Sequence, residues 1–205
     1  MRKRWFILLL CNILLIICSS SLADSVVVGQ VFLPETETCV ITTRQDYATL
    51  PYTGGMALSD LKKAYEDNES LIAYVIYPFG PSLTVSDYPA TESSEDVQNS
   101  GNVVKDYWGG LDDYMLSIGY TTSKTETVAI NGFDFVLNQT TLEDHAARGY
   151  YIYYSDPEGN TRVVNFDFFD FENIPVWNSY IDRYMQMVSF KPGTIPFGTR
   201  VYSTL

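Results

Sequence analysis

The chain has one histidine, His145, and three cysteines, Cys11, Cys18 and Cys39, so imidazole or thiolate chemistry has few residues to draw on. A Ser-His-Asp or Cys-His site would have to use His145. Its neighbour Asp144 is too close in sequence to complete a triad, and no Gly-x-Ser-x-Gly elbow is present. A zinc centre needs three or four His, Cys or carboxylate ligands. We therefore expect no catalytic residue, metal ligand or cofactor, and His145 reads as an exposed loop residue. Oxygen-bearing side chains gather at Asp167, Asp170 and Glu172, with Asn165 and Asn173 nearby. The Asp/Asn/Gly spacing of a calcium loop is missing, so this group reads as a solvated strand end. Tyr150, Tyr151, Tyr153 and Tyr154 place phenol rings on both faces of one strand. They read first as core packing under a sheet covered on both sides. The alternative is an aromatic platform for a sugar, peptide or partner protein. The residues to watch for ligand binding are Tyr151, Tyr153, Asp167, Asp170 and Glu172.

The elements that must position these residues begin after an export signal. Met1-Arg2-Lys3-Arg4 is followed by an apolar run from Trp5 to Cys18 broken only by Asn12, then by Ser19 to Ala23. A basic start, a short apolar core and small residues at Ser21 and Ala23 predict a signal peptide over 1–23, cut between Ala23 and Asp24. The core falls short of the roughly 20 apolar residues that a spanning helix requires. Cys11 and Cys18 leave with the leader, so Cys39 is the single mature cysteine. It reads as a small buried hydrophobe, with a Cys39-linked dimer as the alternative. Losing three basic residues lowers the net charge of −12 to −15. A surface that negative repels phosphate backbones and anionic headgroups, which argues against nucleic acid or lipid as the partner. No phosphate-binding glycine loop is present. The mature chain is also long enough for one domain with a substantial core.

Along that chain, Val26–Val28 and Cys39–Thr43 read as extended. Leu58, Leu61, Ala64 and Tyr65 recur at helical spacing up to about Asn68, and Leu71–Phe79 and Leu83–Tyr88 as paired strands. Residues 91–102 are a polar excursion. Val104, Tyr107, Trp108, Leu111, Tyr114, Met115 and Ile118 form one apolar stripe, predicting a helix over 104–118 that is stopped by Gly119. The period then becomes two. Tyr120–Ile130 meets Phe133–Asn138 across Asn131-Gly132, a type I′ turn pair. After a loop holding His145 and Gly149, Tyr150–Tyr154 pairs with Arg162–Phe168. Pro175 sits just inside a last helix whose apolar face is Trp177, Tyr180, Ile181, Tyr184, Met187 and Val188.

This order resembles the PsbP-like fold, which includes the DcrB-like bacterial envelope proteins. Three stretches carry the resemblance: Leu71–Tyr88 ahead of an acidic excursion, Val104–Gly119 leading into the Val128–Phe133 hairpin, and Tyr150–Ser189 with its closing helix. It spans roughly residues 45–190. The resemblance implies an α+β fold, a single antiparallel β-sheet meander flanked by helices in an α/β/α sandwich. Its members are mostly non-catalytic binding or assembly factors. The organisation expected is 1–23 signal peptide, 24–45 N-terminal extended segment, 46–190 domain and 191–205 tail. The functional expectation is a secreted or envelope-associated bacterial binding module for an unknown protein or small ligand, without a membrane span once trimmed. A small secreted hydrolase using carboxylates and an adhesive surface protein are the alternatives. Export is checked directly: N-terminal sequencing of the protein recovered outside the cytoplasm should begin at Asp24, and an intact Met1 would sink the leader assignment.

Overall fold

The computed structural model describes residues 25–36, 39–50, 53–77, 81–90, 109–156, 158–172, 174–191 and 194. Ala23 and Asp24 lie outside them, as do the excursion and the first third of the 104–118 helix. Among the described residues ten strands and three helices are formed: β1 Ser25–Val28, β2 Val31–Pro34, β3 Val40–Thr43, α1 Leu58–Asp67, β4 Leu71–Ile76, β5 Ser82–Pro89, α2 Gly109–Ser117, β6 Thr122–Ile130, β7 Phe133–Leu142, β8 His145–Ser155, β9 Thr161–Phe171, α3 Ile174–Met185 and β10 Ser189–Phe190. Seven strands form one antiparallel sheet in the order β3-β4-β5-β9-β8-β7-β6. The expected four-strand meander, β6 to β9, is its larger half.

Alternation along β9 creates the two faces. Val164, Phe166 and Phe168 are fully buried on one side, while Asn165, Asp167 and Phe169 point to the other. Opposite Phe166 stand Val85 of β5 and Tyr150 of β8, and opposite Tyr150 stands Leu137 of β7. Aromatic rings continue across this core face. Phe135 meets Phe166 edge-on at 6.2 Å, Tyr150 meets Phe168 at 6.3 Å, and Phe168 meets Tyr184 of α3 at 6.3 Å. Such edge-to-face contacts suit the ring quadrupoles.

A second sheet corrects the expectation of a single one. β1 and β2 form a hairpin around Gly29, and β10 pairs with β2 through Ser189↔Phe32 and Phe190↔Val31. The reason is coverage. Twelve residues make α3 about 18 Å long, whereas seven strands spaced at ~4.8 Å spread over about 29 Å. Val28, Val31 and Leu33 from the small sheet join the same core and cover what α3 leaves open. The last helix is also shifted. It ends at Met185, which is fully buried, whereas Met187 lies beyond it and is largely exposed.

α3 is also pinned by charge. Arg148 lies 3.0 Å from Asp182 and donates to the Asn178 carbonyl at 3.3 Å. The Tyr150 hydroxyl donates to the same Asp182 at 3.1 Å. On the opposite, outer face, α1 packs Leu61 and Tyr65 on Leu71, Tyr74 and Ile76. The Tyr65 hydroxyl donates to the Thr42 carbonyl at 2.8 Å, and burial pushes its pKa up to about 12. Because Phe166 is buried on the middle strand, Phe166→Ala should lower the unfolding free energy by about 3–5 kcal/mol. Urea denaturation measures this; a loss of less than about 1 kcal/mol would contradict the core assignment.

Candidate functional site

The strand register draws one polar row across the outer face. Thr125 of β6 faces Asn138 of β7, which faces Gly149 of β8, then Asp167 of β9, Thr84 of β5 and Tyr74 of β4. α1 covers the Tyr74 end. α2 covers the Thr125 end, and its docking is unusual. Asp112 Oδ1 accepts from Ser123 Oγ at 2.6 Å, Thr125 Oγ1 at 3.1 Å and Asn138 Nδ2 at 3.1 Å. Two residues of the predicted apolar stripe do not face the sheet, because the strands beneath offer hydroxyls and an amide. Tyr114 and Ile118 are 58% and 54% exposed instead.

Between the two helices lies a cluster centred on Asp167. The Tyr151 hydroxyl donates to Asp167 Oδ1 at 3.3 Å, and Asn165 Nδ2 donates to Oδ2. Burial raises the Asp167 pKa, and these two hydrogen bonds only partly offset it. Asn165 is itself buried, and its Oδ1 has no hydrogen-bond partner. Leaving such an acceptor unsatisfied costs about 1–3 kcal/mol. Gly149 makes the cluster possible. A Cβ there would sit 2.6 Å from Asp167 Oδ1 and 2.7 Å from the Tyr151 hydroxyl. Tyr151 can therefore lie across position 149 only because that residue has no side chain.

The expected ligand-binding residues divide accordingly. Tyr151 and Asp167 come together, and Tyr153 lies one step along the same face of β8, where it and Tyr88 both stand opposite Val163. Glu172 is apart from them, 3.7 Å from His145 Nε2. Asp170 is in β9, and its side chain lies outside the described residues. Two residues that matter here were given no ligand role from the sequence. Asn165 reads from the sequence only as a neighbour of the acids, and Gly149 as a loop residue. Gly149 is instead inside β8, which starts at His145 after a two-residue turn with Glu143 at a φ of 57°. The four tyrosines separate by face. Tyr150 and Tyr154 are buried in the core, and burial raises both phenols. Tyr151 and Tyr153 remain half-exposed outside. Tyr154 donates to Asp87 at 2.7 Å, which also holds Arg162 at 2.8 Å. Cys39 is half-buried, with its Sγ 3.2 Å from Thr36 Oγ1. No group of three or more His, Cys, Asp or Glu among the described residues could hold a metal ion. No helix there is long and apolar enough to cross a membrane.

No protein-family model and no curated protein matches the chain. It is similar to the solution structure of cyanobacterial PsbP (CyanoP) from Synechocystis sp. PCC 6803, with a TM-score of 0.41 and 10% identity, over 79% of this chain and 87% of that one.

The raised pKa of Asp167 sets a sign for stability. A carboxyl with a higher pKa folded than unfolded stabilises the protein below its ordinary value of 3.8, and that contribution is lost as pH rises through the folded-state value. Asp167→Asn removes this loss. A half-turn of the Asn165 amide would then offer its unsatisfied oxygen to the new amide. Thermal melts should show the variant gaining on the wild type between pH 3 and neutrality, by an amount that grows with pH. A difference independent of pH would contradict the burial of an ionising group.

Proposed function

We propose that the protein is an exported, non-catalytic binding or assembly module that holds a donor-bearing ligand on the outer face of its seven-stranded sheet. The observation that carries this reading is the buried, unsatisfied Asn165 Oδ1 beside a carboxyl that burial makes costly to ionise. Polar groups kept at a cost to stability are a mark of functional surfaces. A hydroxyl or amide N–H from a ligand would satisfy the oxygen once the side chains that cover it turn aside. The surroundings suit a sugar or an extended peptide. Tyr88 and Tyr153 flank the polar centre on one side. Tyr74 and Phe169, meeting edge-on at 6.4 Å, flank it on the other. Aromatic walls around a few fixed polar groups are how such ligands are held. Export, expected from the leader, would place the module at the cell envelope or beyond it.

The test is capture from an envelope extract on immobilised mature protein, comparing the wild type with Asn165→Ala and Tyr153→Ala. Each truncation should weaken retention of the same partner by at least roughly tenfold, as central contacts do, with the far-ultraviolet circular dichroism unchanged. Equal capture by all three proteins would remove the outer face from consideration.

A further inference from the structure

Among the described residues, β3 ends the seven-stranded sheet and pairs with β4 alone. The register sets Ile41 opposite Val75 and Val40 opposite Ile76. Carried one residue further, it sets Cys39 opposite Tyr77. Both lie two residues beyond the buried Ile41 and Val75, so they share the core face, and both belong to its packing. Tyr184 of α3 packs on them from above, its ring 6.2 Å from that of Tyr77, and the Tyr180 ring is 5.3 Å from Tyr77. Tyr77 and Tyr184 are 6% and 1% exposed, yet neither hydroxyl has a hydrogen-bond partner. Phenylalanine at either position would fill the core without desolvating an O–H, so two kept hydroxyls call for an acceptor.

Burial first, then the neighbouring Tyr184 phenol and Cys39 thiol, hold Tyr77 far above the ordinary phenol range. Burial first, then Cys39, does the same for Tyr184. Both therefore stay neutral, as O–H donors. The group they share is the Cys39 side chain. Its sulfur accepts from Thr36 Oγ1 at 3.2 Å, and its own proton points to the Thr36 carbonyl at 3.9 Å. Thiol sulfur is a weak acceptor, so facing it does not satisfy the phenols. An oxygen bonded to that sulfur would be a strong acceptor on the same side chain. Cys39 is only half-buried, and a small oxidant is the least demanding reagent to reach it.

We infer that Cys39 is an oxidation site, where a hydroperoxide turns the thiol into a sulfenic acid whose oxygen accepts from Tyr77 and Tyr184. The sulfur attacks the terminal peroxide oxygen, which keeps its hydrogen. An S–O bond forms and the O–O bond breaks. Sulfur gives up two electrons to the peroxide, and the leaving oxygen takes the thiol proton and departs as water or an alcohol. This site is on the core side of the sheet and independent of the ligand face proposed above. The test treats the exported chain with hydrogen peroxide, removes the excess with catalase, and adds the sulfenic-acid trap dimedone after increasing delays. Peptide mass spectrometry then quantifies the Cys39 adduct. Wild-type Cys39 should be captured, and Tyr77→Phe and Tyr184→Phe should each shorten the lifetime of the trappable acid by roughly threefold or more, the worth of one hydrogen bond. Thermal melts give a second reading, against Cys39→Ser treated in parallel to account for oxidation elsewhere. Oxidation should raise the wild-type midpoint, because its hydroxyls gain an acceptor, and should not raise that of the double variant, Tyr77→Phe with Tyr184→Phe. Phenols with a purely structural role would shift the melts of reduced and oxidised protein alike. That result would overturn the inference. So would failure to capture Cys39, lifetimes unchanged in both single variants, or a Cys39-linked dimer formed in place of the acid.

Discussion

The alternation along β9 is the constraint from which the other layers follow. It is paired on both sides, with β5 and β8, so each of its side chains is committed to one face by neighbours in both directions. Val164, Phe166 and Phe168 must be covered, and that need recruits α3 and the β1-β2-β10 sheet. Asn165 and Asp167 must then emerge on the opposite face, in the middle of a sheet, where solvent is partly excluded. A slip of one residue would bury two polar groups in the aromatic core and expose three large apolar ones, so the register is strongly fixed. The polar cluster is therefore a consequence of the same pattern that builds the core.

Helices meet this sheet in two different ways. α3 and α1 dock mainly through buried apolar and aromatic residues, with polar anchors at their margins. Arg148 is one such anchor. Its side chain is 8% exposed, and it satisfies the Asp182 carboxylate that also accepts from Tyr150. Removing one member of such a pair leaves the other charge badly solvated, so its value lies more in fixing α3's position than in net stability. α2 is different. Asp112 anchors it to the strands through one carboxylate oxygen that accepts from three donors, while Tyr114, Leu116 and Ile118 are exposed. Hydrogen bonding helps specify where that helix lies.

Much of the framework was legible in residue order. Asn131 and Gly132 have φ values of 51° and 82°, as a type I′ turn requires, and Gly119 ends α2 with a φ of 108°. The short helix ends at Asp67 with Asn68 beyond it, as its spacing implied. The failures share a cause. Helical periodicity in Tyr114, Met115 and Ile118 indicates a helix but not which side the sheet lies on, and Ser123, Thr125 and Asn138 reverse the expected orientation. Gly149 looks like a loop signal until Asp167 and Tyr151 are seen to occupy the space its side chain would need. β10 is two residues long, too short for any periodic signal, and exists because β2 leaves an edge beside it.

Tyrosine pairs show where local information stops. The sequence alone determined that rings at 150, 151, 153 and 154 would alternate between faces, because a strand has a period of two. It equally determined the basic-then-apolar N-terminal pattern, the acidic balance and the meander hairpins, all properties of neighbours along the chain. Which tyrosine face is core and which is site was decided only by the tertiary structure. So was the meeting of Tyr151, Asn165 and Asp167. Burial, the unsatisfied amide oxygen and the raised carboxyl depend on strands brought together across the sheet, and those distances are not a function of sequence separation.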